Sequence, residues 1–130
     1  MPTKTHRFVS IALIVGLLLA ASPSFAEILS VANVANLTGV DLLTVPAGQK
    51  FIAKSMVVAN PNEATSISCC ARLLRNSAAV TGFVTVQGGN TVQIQFDPPV
   101  VFDAGDIVRV RNGASAGVLH FTVVGDRDIK

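Results

Sequence analysis

Three groups of side chains in this sequence have the types from which chemistry is built: the neighbours Cys69 and Cys70, His120, and the aspartates Asp97, Asp103 and Asp106. Neighbouring cysteines across a trans peptide have Cα atoms about 3.8 Å apart, below the usual lower limit of about 4.4 Å for a disulfide. An extended strand also points their side chains to opposite faces. In an oxidising compartment three states remain open: two unpaired thiols, an intermolecular disulfide through an outward Cys70, or a strained vicinal bond. His120 lacks the further histidines and glutamate of a metal centre, so no metal and no other cofactor is expected. A Ser-His-Asp triad can be drawn through Asp103 or Asp106, with no nucleophile elbow expected to position its serine. The aspartates match no calcium-loop spacing and fall where aspartate caps its own turn. The expectation is a protein without enzymatic activity and without catalytic residues.

The elements that would carry these groups centre on Val45 to Asn62. Pro46 cannot donate to a sheet ladder and Gly48 tolerates positive φ, so a tight turn feeds a strand beginning near Lys50. Asn60-Pro61-Asn62 ends it. Phe51, Ala53, Val57 and Ala59 would face one way and Ile52, Met56 and Val58 the other, the pattern of a central strand covered on both sides. Ile28 to Val34 and Val40 to Val45 read as strands. From Thr65 to Arg75, Ile67, Cys69, Ala71 and Leu73 share one face, with Ser68, Cys70 and Arg72 on the other.

Val80 to Gln87 and Thr91 to Phe96 are expected to pair as a hairpin through a Gly88-Gly89-Asn90 loop. With Gln87 facing Thr91, Val86 opposes Val92 and Val84 opposes Ile94, so apolar positions meet apolar ones everywhere except at Phe83. Its outward face would hold Thr81, Phe83, Thr85, Gln87, Thr91, Gln93 and Gln95. That uncharged row is the expected interaction face. Asp97-Pro98-Pro99 should end the hairpin, leaving Val100 to Phe102 as a short edge strand. Ile107 to Arg111 and Val118 to Val124 are expected to form a last hairpin, with Arg109 beside His120, and the charged end from Gly125 to Lys130 to fray. Asp103-Ala104-Gly105-Asp106 echoes the earlier Pro46-Ala47-Gly48-Gln49 turn. Seven or eight short antiparallel strands without a helical pattern describe a single all-β sandwich, jelly-roll-like.

Ahead of this domain, Lys4, His6 and Arg7 precede an apolar run from Phe8 to Ala21 and a small-x-small site at Ser24-Phe25-Ala26. Residues 1–26 therefore read as a cleaved signal peptide, the run being short of the roughly 20 residues of a spanning helix. Residues 27–130 are then one domain, secreted to the periplasm or the exterior. The leader takes Lys4 and Arg7 of the ten basic residues, so the rest of the chain balances its eight acidic ones. No cluster of Lys and Arg in the sequence gives the footprint of nucleic-acid binding, and no membrane partner is expected after cleavage.

The stretch V-P-A-G-Q-K-F-I-A-K-S-M-V-V-A-N-P-N, with the later F-D-P-P-V-V-F-D-A-G-D-I-V-R-V, resembles small secreted or phage-associated β-sandwich modules of bacteria. The likeness spans about residues 43 to 111 and rests on turn-and-strand grammar. It implies a jelly-roll-like sandwich used in surface structures, adhesion or assembly, and it carries over no functional residues. The leading expectation is a secreted structural or interaction module that self-associates, its partner a second copy or another surface protein. The alternative is a monomeric module binding a glycan or protein through the Thr/Gln face, against which stands the absence of Trp and Tyr.

Overall fold

Apolar and polar residues alternating between glycine and proline breaks resolve into nine strands in the computed structural model, which describes residues 23–63, 67–114 and 116–129. They are β1 (Ser24–Ala35), β2 (Thr38–Thr44), β3 (Gln49–Ala59), β4 (Ile67–Arg75), β5 (Ala78–Ala79), β6 (Val84–Gln87), β7 (Thr91–Phe102), β8 (Ile107–Asn112) and β9 (Val118–Ile129). Sheet A runs β1-β9-β3-β7; sheet B runs β2-β8-β4, with β6 and the two-residue β5 both against β4. All pairings are antiparallel. Successive strands cross from one sheet to the other at every connection except those between β4 and β6. This is the jelly-roll order, so the expected all-β sandwich is the fold.

The core is the space between the sheets. Phe51, Phe102, Phe121, Met56, Leu73 and Leu119 are its largest fully buried side chains, filled in by Val58, Val86, Val108 and Val110. Each such side chain contributes roughly 1.5–3 kcal/mol by leaving water. The Phe51 and Phe102 rings meet at 6.2 Å between centroids.

The two Ala-Gly turns lie side by side and stitch the sheets together at one end. Gln49 N donates to Pro46 O (3.2 Å) and Asp106 N to Asp103 O (3.0 Å). Gly48 and Gly105 take φ of 74° and 87°, the third-position geometry of such turns. Val45 N then donates to Asp106 O (2.9 Å), and Gly105 N donates back to Val45 O (2.8 Å).

Several expectations change. The central strand β3 is not covered on both faces. A bulge between Ala53 and Ser55 shifts its register against both neighbours, which turns Phe51, Ala53, Met56 and Val58 all inward. Ile52 and Val57 are left half-buried on the outside. Neither expected hairpin exists. β6 pairs β4 in sheet B while β7 pairs β3 in sheet A, and β8 and β9 likewise belong to opposite sheets.

The end of the chain does not fray, because β9 continues to Ile129 between β1 and β3. There Arg127 donates twice to the Glu27 carboxylate (2.7 and 2.6 Å) and once to Gln49 Oε1 (2.8 Å). The two prolines do not end a strand either: β7 runs through them on the outer edge of sheet A, where a missing N–H is tolerated. Of the expected leader, residues 1–22 lie outside the described residues; Ser24, Phe25 and Ala26 begin β1 opposite Asp128, Arg127 and Asp126.

Candidate functional site

The jelly-roll crossing divides the expected interaction face. Thr91, Gln93 and Gln95 stand exposed on the outside of sheet A, whereas Thr85 and Gln87 are exposed on β6 at the edge of sheet B. Thr81 is turned to the backbone, its Oγ1 accepting from Leu73 N (3.1 Å). Phe83, 67% exposed, lies beneath the Arg72 guanidinium at 5.0 Å. Two different surfaces result.

The outside of sheet A is nearly uncharged over half its length. The register aligns Ser30, Thr122, Val57 and Gln93 in one row across all four strands, and His120, Ala59 and Thr91 in another. Ile28, 68% exposed, sits opposite Val124. Lys54 and Asp126 neutralise each other at 2.6 Å towards the other end. β1 forms one margin of the sheet, and its second edge pairs with no strand among the described residues.

The outside of sheet B is basic. A groove of about 610 Å³ is lined by Gly39, Val40 and Asp41 of β2, Arg72 and Leu74 of β4, Ser77, and Arg109 and Arg111 of β8. Arg72 and Arg111 are direct cross-strand partners. Arg109 is bonded through Nε to the Asp41 carboxylate, which holds that carboxyl below the ordinary aspartate value and raises the guanidinium's own. Arg72 Nε is buried and has no hydrogen-bond acceptor among the described residues. In sequence the three arginines are isolated polar positions of two alternating strands, and the pairing of β8 with β4 is what gathers them.

The chemical candidates resolve differently. His120 Nδ1 accepts from Asn33 N (2.9 Å) at the bulge of β1, whereas a triad histidine donates from that nitrogen to aspartate. Asp103 and Asp106 lie at the opposite end of sheet A: Asp103 pairs with Lys50, and His120 is aligned with Ala59. Nine residues of strand separate those positions, about 30 Å. A Gly-x-Ser-x-Gly spacing does exist at Gly113-Ala114-Ser115-Ala116-Gly117, contrary to expectation. It joins two strands, β8 and β9, where a nucleophile elbow joins a strand to a helix, and Ser115 lies outside the described residues. Asp106 caps its own turn, accepting from Asp103 N (2.9 Å).

Cys70 is disulfide-bonded, and the sequence holds one other cysteine, Cys69. The regular strand geometry from which Cys70 was expected to point outward does not hold, since β4 is irregular there: Cys70 has φ 73° and the register shifts between Ser68 and Ala71.

Sequence reasoning also missed the asparagines that close the other end of the sandwich. Asn60, read as a strand stop, is 1% exposed. Its Nδ2 donates to Val86 O (2.8 Å), and its Oδ1 accepts from Asn62 N (3.0 Å) and Asn62 Nδ2 (2.6 Å). Asn62 Nδ2 continues to Val118 O (2.8 Å). Asn112 donates to Val34 O (3.0 Å) and accepts from Ala114 N (3.1 Å).

No family model matches the chain, and no curated protein does. Among solved structures it is similar to a chain from Bacillus endospore appendages, described as disulfide-linked pili, at 14% identity and TM-score 0.48, over 85% of this chain and 91% of that one. It is similar to a chain of the virus-like particle of Macrobrachium rosenbergii extra small virus, at 12% identity and TM-score 0.47, over 83% and 79%. It is also similar to a chain of the cyanophage Pam1 capsid, at 10% identity and TM-score 0.47, over 85% and 88%. All three scores fall below 0.5, and the fold stands on the strand pairing itself.

Proposed function

We propose that this chain is an exported, non-enzymatic structural module that associates with further copies of itself through the outside of sheet A. The observation that carries this reading is the uncharged row Ser30, Thr122, Val57 and Gln93 crossing the whole sheet beside the exposed Ile28. An identical face set against this row meets no charge within it, and Lys54 and Asp126 beyond it are paired within the chain. The edge of β1, unpaired among the described residues, extends the same surface, and an unpaired edge is a template for a further strand. Export rests on the leader sequence.

The test is the solution mass of the purified protein by light scattering, compared with Val57→Lys and Ile28→Lys. The wild type is expected as a defined oligomer and the variants as monomers with unchanged circular dichroism. A monomeric wild type at about 100 µM, a concentration that populates even a weak dimer, overturns the reading.

A further inference from the structure

We propose that the groove on the outside of sheet B is a binding site for an oxyanion, a carboxylate or sulfate group, carried on an acidic saccharide. Arg72 and Arg111 stand directly opposite each other on neighbouring antiparallel strands. Like charges in that position repel at Cβ separations of about 4.5–5.5 Å, and the arrangement becomes favourable when an anion bridges them. Asp41 does not supply that anion, because it is bonded to Arg109. Arg111 has no ion pair among the described residues. Arg72 likewise has no ion pair among the described residues, and with its Nε buried it is the terminal guanidinium nitrogens that would meet a ligand oxygen.

The surroundings favour a saccharide over a lone ion. The cavity, about 610 Å³, falls within the ordinary range of small-ligand sites, roughly 300–1,000 Å³. Gly39 leaves its β2 side without a side chain, and Ser77 supplies a hydroxyl. Phe83 lies outside the groove lining and has one ring face covered by the Arg72 guanidinium, but it is 67% exposed, and its remaining surface offers an apolar platform for the C–H face of a sugar that extends past Arg72. Asp41, within the same lining, would repel a second anionic group there, so the acid group is placed between Arg72 and Arg111.

The experiment titrates the protein with sodium sulfate, galacturonate oligomers and neutral dextran, following the arginine Nε–H resonances by NMR. Arg127, already fully engaged with Glu27 and Gln49, is the internal control. The Arg72 resonance is expected to shift saturably with sulfate and galacturonate and to ignore dextran. Arg111→Gln should weaken binding at least tenfold and Arg111→Lys less. Phe83→Ala should weaken galacturonate but not sulfate. No shift at Arg72, an equal response to dextran, or unchanged affinity in Arg111→Gln overturns the site. Sulfate binding as tightly as galacturonate, with no effect of Phe83→Ala, overturns the saccharide assignment. A change of solution mass in Arg111→Gln, without loss of anion binding, would assign the groove to a subunit contact and overturn the proposal. The Val57→Lys mass measurement reports on self-association independently.

Discussion

Replacing Asn60 by alanine tests whether the end of the sandwich is held by side-chain amides. The change removes the donor to Val86 O and the acceptor shared by Asn62 N and Nδ2. Of the three lost hydrogen bonds, the two from Asn62 cost about 1 kcal/mol each and the one to the buried Val86 carbonyl about 1 kcal/mol or more. A total near 3 kcal/mol lowers Tm by roughly 10–20 °C in a domain of this size, readable by calorimetry. Asn60→Asp separates the donor from the acceptor. The carboxylate keeps the bonds from Asn62 but faces the Val86 carbonyl without a proton, so burial raises its folded pKa above the unfolded value of about 3.9. A group raised in this way is favoured protonated. The deficit of Asn60→Asp should therefore be largest at neutral pH and shrink as pH falls through the raised folded value. An Asn60→Ala variant within about 0.5 kcal/mol of wild type, the scatter of ordinary surface changes, or an Asn60→Asp deficit that grows on acidification, would refute the reasoning.

Gly125→Ala should destabilise by about 3 kcal/mol or more in urea unfolding, since its Cβ would lie 2.2 Å from Ile52 O and 2.9 Å from Phe51 Cζ. Gly82→Ala, with nothing within 4 Å, is the matched control and should stay within about 0.5 kcal/mol of wild type. The Asp41 carboxyl should titrate below the ordinary aspartate value by NMR and return towards it in Arg109→Gln, because the Arg109 hydrogen bond favours its charged form. The pair's contribution is present above the unfolded value near 3.8 and is lost as pH falls through the lower folded value. Solvent screening keeps it small. Asp41→Asn should tighten sulfate binding to the groove.

Strand positions and the sandwich were legible because the period of two survives over most of each strand. Pairing partners were not. The Val86–Val92 and Val84–Ile94 matches that argued for a hairpin are what a sandwich also requires, since inward residues on facing sheets are apolar together. Alternation reports which way a side chain points and is silent on which strand lies beside it. The same blindness hid the arginine groove, whose members become neighbours only when Arg111 aligns with Arg72 and Arg109 with Leu74. Bulges erased the rest: the register of β4 shifts between Ser68 and Ala71, and at Ala53 to Ser55 of β3 one side chain falls out of step, so that the expected faces invert beyond it.

The placement of β9 between β1 and β3 has a consequence for how the protein is made. Sheet A cannot be completed while β9 is still in the ribosome, because among the described residues β1 pairs only with β9. Sheet B, whose members end at Asn112, would meanwhile expose the apolar side it presents to the core. Closure joins the earliest and latest strands over nearly the whole described chain, the kind of non-local pairing that folds slowly. A chain built in this order leaves sheet A open until β9 has been made.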